Sequence, residues 1–521
     1  MAWTREKGKT KMIKATETGS LTARHICKMF RSSRSRTLQT VLVFHVLSLL
    51  LSTCLGYPQF SEQNSVFSLQ TIAVDAQRDT VFIGSVNRVY KLNSNLSLEQ
   101  ETVTGPVQDS PECWPRSVGC LSAVPTDNYN KVLLVDDDRL IVCGTVYQGV
   151  CDVLTVDTLS VLSNSSLTEV SVNTDYGTTV AFIGNGPDDV KTLYVGSSSS
   201  EWARGNVWTM SSRQLPSDLS SPTLFQVYNG GGPQENPSLI RIPAGTINDS
   251  PIIQKFNITY ISGFEANGFS YFIAIQPKIP ETPSPYFTKL ARVCQQDDHF
   301  YSYIELPLHC YVYGDDERTL YNLAQSAYVG TVGSDLGSDD LQPGSEVLYV
   351  VFAQSDGMNS KIPSDKSAVC IYPLSALDLA FWERRLGCAR KETDRTDIDW
   401  LGSVNCGTSN SMISTINSTG PSYCHMNENN SPLGGDSFIG ARAVYTHSSV
   451  LTSIAATVHR DQTVIFLGDQ EGQLKKLWLV DSSTASLYEE LTIDPDGGMV
   501  QNGMVLTPDE NHVYVLTETK V

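Results

Sequence analysis

Between Thr80 and Asn93 the chain reads Thr-Val-Phe-Ile-Gly-Ser-Val-Asn-Arg-Val-Tyr-Lys-Leu-Asn. An apolar run ends at Gly84, a polar turn follows, and Val89, Tyr90 and Leu92 resume the apolar pattern. Alternation on the second arm is what a half-buried strand requires. Gly84 is expected to supply the positive φ of a tight turn. The unit is a strand-glycine-strand hairpin, and the chain repeats it. Echoes run over 132–135 with 140–144, 180–184 with 193–196, 269–275 with 287–293, 347–352 with 368–372 and 464–468 with 474–479; 513–516 closes the series. These make seven units, at irregular spacing along the chain. Irregular spacing around a constant hairpin predicts an all-β fold, a seven-bladed β-propeller with insertions in its loops. A pair of large β-sandwiches is the competing fold.

The first 56 residues differ from the rest. They hold ten Lys or Arg and two acidic residues, and 40–55 is apolar over the length of a signal core. Cys54 and Gly56 stand at the −3 and −1 positions, so residues 1–56 read as a signal peptide cleaved before Tyr57; Met29 offers a second start. An uncleaved anchor competes, but the run is short for a membrane span. Without that leader the chain has 27 basic and 54 acidic residues, net −27. Such acidity argues against nucleic acid and anionic lipid as partners. Cys27 and Cys54 fall in the leader. The ten remaining cysteines contain no Cys-x-x-Cys pair, and in an exported chain they read as disulfides rather than zinc ligands. Sequons at Asn95, Asn164, Asn248, Asn257, Asn417 and Asn429 point to the same compartment.

Candidate chemistry is thin. Asp136, Asp137 and Asp138 could bind calcium, but the spaced ligands and glycine of an EF-hand loop are missing, so they read as a solvated hairpin tip. Asp297, Asp298, His299, Tyr301 and Tyr303 could hold an acid–base pair, yet no nucleophile or cofactor motif accompanies them. The six histidines after the leader are scattered, without a Gly-x-Ser-x-Gly or His-Glu-x-x-His motif, and no metal or cofactor is expected. Stretches 197–208 and 228–237 read as loops; Trp208 is either an exposed anchor or a packed blade residue. Helical spacing appears at Leu377, Leu379, Ala380, Trp382 and Leu386. It opens a polar insertion over about 377–443 that carries Cys388, Cys406 and Cys424.

Several stretches together resemble the extracellular sema domain of a plexin, of the A or B type. They are Val86-Asn-Arg-Val-Tyr-Lys-Leu, Thr104-Gly-Pro, Asn130-Lys-Val-Leu-Leu-Val-Asp and Leu140-Ile-Val-Cys-Gly-Thr-Val-Tyr-Gln-Gly-Val-Cys. Gly268-Phe-Ser-Tyr-Phe-Ile-Ala-Ile-Gln-Pro, Leu290-Ala-Arg-Val-Cys, Ser431-Pro-Leu-Gly-Gly and Gly472-Gln-Leu-Lys-Lys extend the likeness to the C-terminal half. The resemblance implies a sema propeller over 57–521 and disulfides Cys113–Cys120, Cys143–Cys151, Cys294–Cys424, Cys310–Cys370 and Cys388–Cys406. It implies a glycoprotein at the extracellular face of the plasma membrane, acting in axon guidance and cell migration. The partner would be a dimeric semaphorin, with a co-receptor or a second plexin as further partners. The chain would end before the cysteine-rich PSI module and the membrane span. Val207 and Trp208 match the region that carries an exposed aromatic in plexin A, and Arg204, Asp188, Asp189 and Arg213 are neighbouring candidates. A secreted semaphorin-like ligand is the rival function; a propeller enzyme is the second.

Overall fold

The computed structural model describes residues 3–6, 9–12, 57–62, 68–113, 115–116, 119–163, 168–198, 207–228, 239–242, 245–247, 250–252, 257–278, 283–313, 318–334, 341–393, 406–424, 432–435 and 437–521. Two compact units are present, Met1–Gln59 and Phe60–Val521. In the first, Trp3–Glu6 pairs antiparallel with Lys9–Met12. The apolar run 40–55 lies outside the described residues.

The second unit is built from antiparallel sheets, apart from one parallel pairing that joins the outer strands of blades 4 and 5. Blade 1 contains β1 (Leu69–Asp75), β2 (Thr80–Ser85), β3 (Arg88–Asn93) and β4 (Leu98–Val103). Blade 2 contains β5 (Asn130–Asp136), β6 (Arg139–Gly144), β7 (Cys151–Thr155) and β8 (Val161–Ser163). Blade 3 contains β9 (Thr179–Asn185), β10 (Lys191–Ser197), β11 (Val207–Gln214) and β12 (Leu239–Ile242). Blade 4 contains β13 (Thr259–Ala266), β14 (Phe269–Pro277), β15 (Tyr286–Cys294) and β16 (Ile304–Tyr313), with β17 (Arg318–Tyr321) beside β16. Blade 5 contains β18 (Leu323–Thr331), β19 (Glu346–Ser355) and β20 (Pro363–Pro373), then helices α1 (Leu374–Ala389) and α2 (Asn410–Thr419), then β21 (Ile439–His447). Blade 6 contains β22 (Leu451–His459), β23 (Gln462–Asp469), β24 (Gln473–Asp481) and β25 (Thr484–Thr492). Blade 7 contains the short β26 (Val505–Leu506) and β27 (Val513–Tyr514).

Closure is visible in the core. Apolar clusters join blades 1 and 2 (Phe82 with Leu140), 2 and 3 (Ile141 with Val195), and 3 and 4 (Tyr194 with Phe272). Others join blades 4 and 5 (Leu308 with Leu348), 5 and 6 (Tyr349 with Ile465), and 6 and 7 (Phe466 with Val500). The last returns to the start, packing Leu69 and Tyr90 of blade 1 against Tyr514 and Leu516. Each blade therefore buries both faces against its neighbours, which an open sandwich cannot do. The ring is sewn by a segment ahead of blade 1. Phe60 and Val521 exchange backbone hydrogen bonds of 3.1 and 2.9 Å, and Ser61 bridges to Lys520. Beside this seam the buried Asp494 accepts from Thr517 Oγ1 at 3.0 Å, Thr519 Oγ1 at 2.7 Å and Lys520 Nζ at 2.8 Å.

The repeated glycine has a different role from the expected one. Gly84 lies inside β2, and the left-handed turn residue is Asn87, with φ 65°. A Cβ at Gly84 would stand 2.3 Å from Asn130 Oδ1 of blade 2. One at Gly196 would stand 2.6 Å from the Tyr260 ring of blade 4, and one at Gly468 2.3 Å from Val500 of blade 7. The glycine recurs because the next blade comes too close for a side chain.

The helical insertion is anchored by charge and by sulfur. Leu374, Leu377 and Phe381 of α1 join the blade 4–blade 5 core, while Leu386 and Ala389 pack on Ile416 of α2 and Tyr423. Ser409 caps α2 by accepting from the Met412 amide. Disulfides Cys388–Cys406 and Cys294–Cys424 staple the insertion, and Cys310–Cys370, Cys143–Cys151 and Cys113–Cys120 lie in the ring. Blade structure resumes at Ile439, four residues before the expected end of the insertion.

Candidate docking surface

Blade 3 carries most of the residues that sequence reasoning singled out, and the strand register divides them. The β9–β10 turn holds Asp188 and Asp189, both exposed and both in the left-handed region at φ 58° and 57°. In the β10–β11 ladder Thr192 faces Gln214 and Gly196 faces Met210. Val207 and Trp208 therefore lie at the other end of the blade from the aspartates. Seven residues of β10 separate the two ends, about 20 Å of strand. They are two rims, not one patch.

The aspartate rim is tied across four blades. Arg78 of blade 1 donates to the Asp137 carbonyl at 2.8 Å. Lys191 of blade 3 reaches Asp136 at 2.9 Å and Asp137 at 2.6 Å. Gln296 of blade 4 accepts from the Asp188 amide at 3.0 Å and donates to Asp189 at 2.8 Å. Hydrogen bonding to Lys191, then its charge, holds the Asp137 carboxyl below the usual range. One expectation is corrected here. Asp137 and Asp138 are exposed, but Asp136 is buried against Arg139 and Lys191, because blade 3 delivers a cation that sequence adjacency does not reveal.

At the opposite rim Val207 pairs with Ile242, and Trp208 with Arg241 ahead of a bulge. Trp208 thus sits in a strand, and so does Ser197 at the other end of the stretch read as a loop over 197–208; residues 199–206 lie outside the described residues. Ser198 donates to the Thr178 carbonyl at 2.9 Å, which brings the turn before β9 to this rim. That turn carries Tyr176, an aromatic 72% exposed that sequence reasoning missed. Its isolated position in a polar turn of an otherwise strand-rich region was the available signal. Lys131 of blade 2 pins the turn from below, donating to the carbonyls of Asp175 at 2.6 Å and Gly177 at 2.9 Å. Burial lowers the Lys131 ammonium to about 8, with Asp175 opposing.

Arg213 is corrected as a surface candidate. It is 2% exposed and donates to Ser211 Oγ at 2.9 Å and to the Phe225 carbonyl at 3.1 Å. Burial lowers its guanidinium to about 10, opposed by Glu169. It braces the blade and has no face to offer a partner. Arg204 lies outside the described residues. So do Asn164, Asn248 and Asn429, whereas Asn95, Asn257 and Asn417 are exposed. In the 294–310 segment Asp297 is buried and accepts from the Ser302 amide and hydroxyl, both at 2.6 Å. It closes a turn there.

The comparisons agree on the class and on the branch. The Sema domain family model matches residues 324–507. Plexin-A2 of Homo sapiens is 31% identical over 510 residues, covering 92% of this chain and 26% of that protein. Plexin A3 of Danio rerio is 31% identical over 522 residues, covering 92% of this chain and 26% of that protein. The chain spans about a quarter of the length of these curated relatives. A structure of the plexin A4 extracellular region superposes with a TM-score of 0.76 at 28% identity, over 89% of this chain and 46% of that one. Drosophila Semaphorin 2a shares the fold alone, with a TM-score of 0.60 at 18% identity over 89% of this chain and 74% of that one. The domain is a sema-type seven-bladed propeller. Within that class the chain is plexin-like, resembling the extracellular head of the A plexins. No helix among the described residues is long and apolar enough to cross a membrane.

Proposed function

We propose that this chain is the ligand-binding head of a plexin-like cell-surface receptor, and that its partner is a dimeric semaphorin. The observation that carries the reading is the likeness to plexin extracellular regions along 92% of the chain. A solved structure described as Drosophila Plexin A in complex with Semaphorin 1b matches at 16% identity and speaks for the fold alone. The secreted-ligand reading is weaker, because semaphorin structures match at 18% identity against 28% for plexin A4. Catalysis has no role in this head.

The mechanism follows from rigidity. Seven inter-blade cores hold the rim of blade 3 in one geometry, so little ordering entropy is lost on docking. Val207, Trp208 and Tyr176 supply the contact surface in this reading, and the Asp188–Asp189 rim steers a basic partner. A dimeric ligand would hold two heads together, and avidity makes a modest single-site affinity sufficient. Exposed Asn95, Asn257 and Asn417 are the sequons best placed to carry glycan.

Surface plasmon resonance on the glycosylated chain tests this. Dimeric semaphorin ectodomain is expected to bind, with a slower off-rate than a monomeric form. Trp208→Ala should weaken binding by about 2 kcal/mol while leaving the melting temperature unchanged. Absence of binding to every dimeric semaphorin of the source organism would refute the receptor reading.

A further inference from the structure

The outer strand of blade 5 changes partners along its length. From Ile439 to Arg442, β21 runs parallel to Leu308–Tyr311 of β16. From Ala443 to His447 it lies antiparallel to Ser367–Cys370 of β20. β16 pairs with β21 no further than Tyr311, while its other edge pairs with β17 from Cys310 with Tyr321 to Tyr313 with Arg318. The two strands form a fork, and Cys310–Cys370 fixes its base. Beyond Arg442 no described strand pairs with the second edge of β21.

A cleft of about 320 Å³ fills the mouth of the fork. Val312, Tyr313, Arg442, Tyr445, Thr446 and Ala485 are among the residues that line it. Arg442 is exposed, and its guanidinium stands 5.9 Å over the Tyr313 ring. Arg318 stands 3.8 Å over the Tyr311 ring. Among the described residues neither arginine makes an ion pair, although the chain holds 56 acidic residues against 37 basic. Two guanidinium groups that stack on tyrosine rings and make no ion pair among the described residues, beside a cleft and a strand edge with no described partner, constitute a recognition geometry.

We infer that this fork is a strand-addition site for an extended acidic peptide of another protein. The peptide continues the pairing that β16 abandons, lying along Ala443–His447. One carboxylate meets Arg442 and Arg318, and an alternate apolar side chain enters the cleft. Charge selects this occupant: a basic segment would face two guanidinium groups. The site is on blade 5, separate from the blade 3 rim, and does not depend on the semaphorin reading.

The test uses the intact glycosylated chain and a blocked, fluorescein-labelled peptide of alternating Glu and Val, read by fluorescence anisotropy. Saturable binding is expected. Arg442→Glu should weaken it about tenfold or more, and a Lys-for-Glu peptide should regain affinity for that variant. Methylating alternate peptide nitrogens keeps every charge but removes ladder donors, and it should abolish binding to the unaltered protein. No saturable binding of the unmethylated peptide overturns the proposal. Equal binding of both peptides overturns it too, because attraction would then be charge alone. The peptide comparison needs no variant, so misfolding of Arg442→Glu leaves the test intact.

Discussion

Replacing Asp378 by alanine should release the helical insertion while leaving the ring closed. Asp378 projects from α1 toward blade 4, where its carboxylate accepts from Arg292 Nη1 at 2.9 Å, Asn267 Nδ2 at 3.0 Å and the Tyr271 hydroxyl. The Arg292 guanidinium is clamped between rings, 3.9 Å from Phe269 and 4.7 Å from Phe381. Side-chain exposures of 5% for Arg292 and 9% for Asp378 mean the pair is screened little by solvent. Burial pushes the Tyr271 hydroxyl well above its ordinary range, with Arg292 opposing, so it remains a donor. Truncation would leave a buried cation without its counter-charge, at a cost of about 3–5 kcal/mol. The two aromatic faces still hold Arg292, which favours the lower end. About 3 kcal/mol corresponds to roughly two decades in a local opening constant. Hydrogen–deuterium exchange reads this directly: amides of Leu374–Ala389 should exchange about a hundredfold faster, with blades 1 to 3 unchanged. Converting both partners to apolar residues, Asp378→Leu with Arg292→Met, should restore most of the protection. Unchanged exchange in α1, or an equal loss in every blade, would refute the anchoring role.

Further consequences can be measured on the same protein. Burial works to raise the Asp494 carboxyl, but hydrogen bonds from Lys520, Thr519 and Thr517 outweigh it and hold the group below its usual value. The stability it supplies is present above about pH 4 and is lost as pH falls through the depressed value, so Asp494→Asn should flatten the acid limb of a melting-temperature profile. Burial, with Arg318 adding, lowers His309 to about 4. The folded state therefore takes up that proton later than the unfolded state. Stability should decline between about pH 6.5 and 4, and His309→Phe should remove that decline. Gly196→Ala should cost about 1–3 kcal/mol by forcing Tyr260 aside, measured by chemical denaturation. Breaking Cys388–Cys406, which closes a span of 18 residues, should cost about 3 kcal/mol and appear as faster exchange in α1 and α2.

The hairpin repeat, the acidic surface and the helix near Leu377 were legible in the sequence because each is a local pattern. The helix begins at Leu374 and the recurring strands fall where alternation put them. What stayed hidden depends on neighbours remote in sequence. Gly84 reads as a turn residue until Asn130 of the next blade is seen against it. Asp136 reads as a solvated tip until Lys191, 55 residues away, is found on it. Cys294 and Cys424 are 130 residues apart, and no spacing rule pairs them. The candidate docking residues look contiguous along the chain, yet the β10–β11 register sends Asp188 and Trp208 to opposite rims and turns Arg213 inward. Tyr176 reaches the Trp208 rim through the hydrogen bonds between Ser198 and Thr178 and the pairing of Thr179 with Ser197.

The central claim is that a stiff propeller meets its protein ligand at the blade 3 rim. Hydrogen–deuterium exchange of the free chain against the chain saturated with a dimeric semaphorin ectodomain tests it most directly. Slower exchange confined to 173–178 and the Val207–Gln214 strand is the expected footprint. No footprint anywhere, or one restricted to blades 6 and 7, would contradict it.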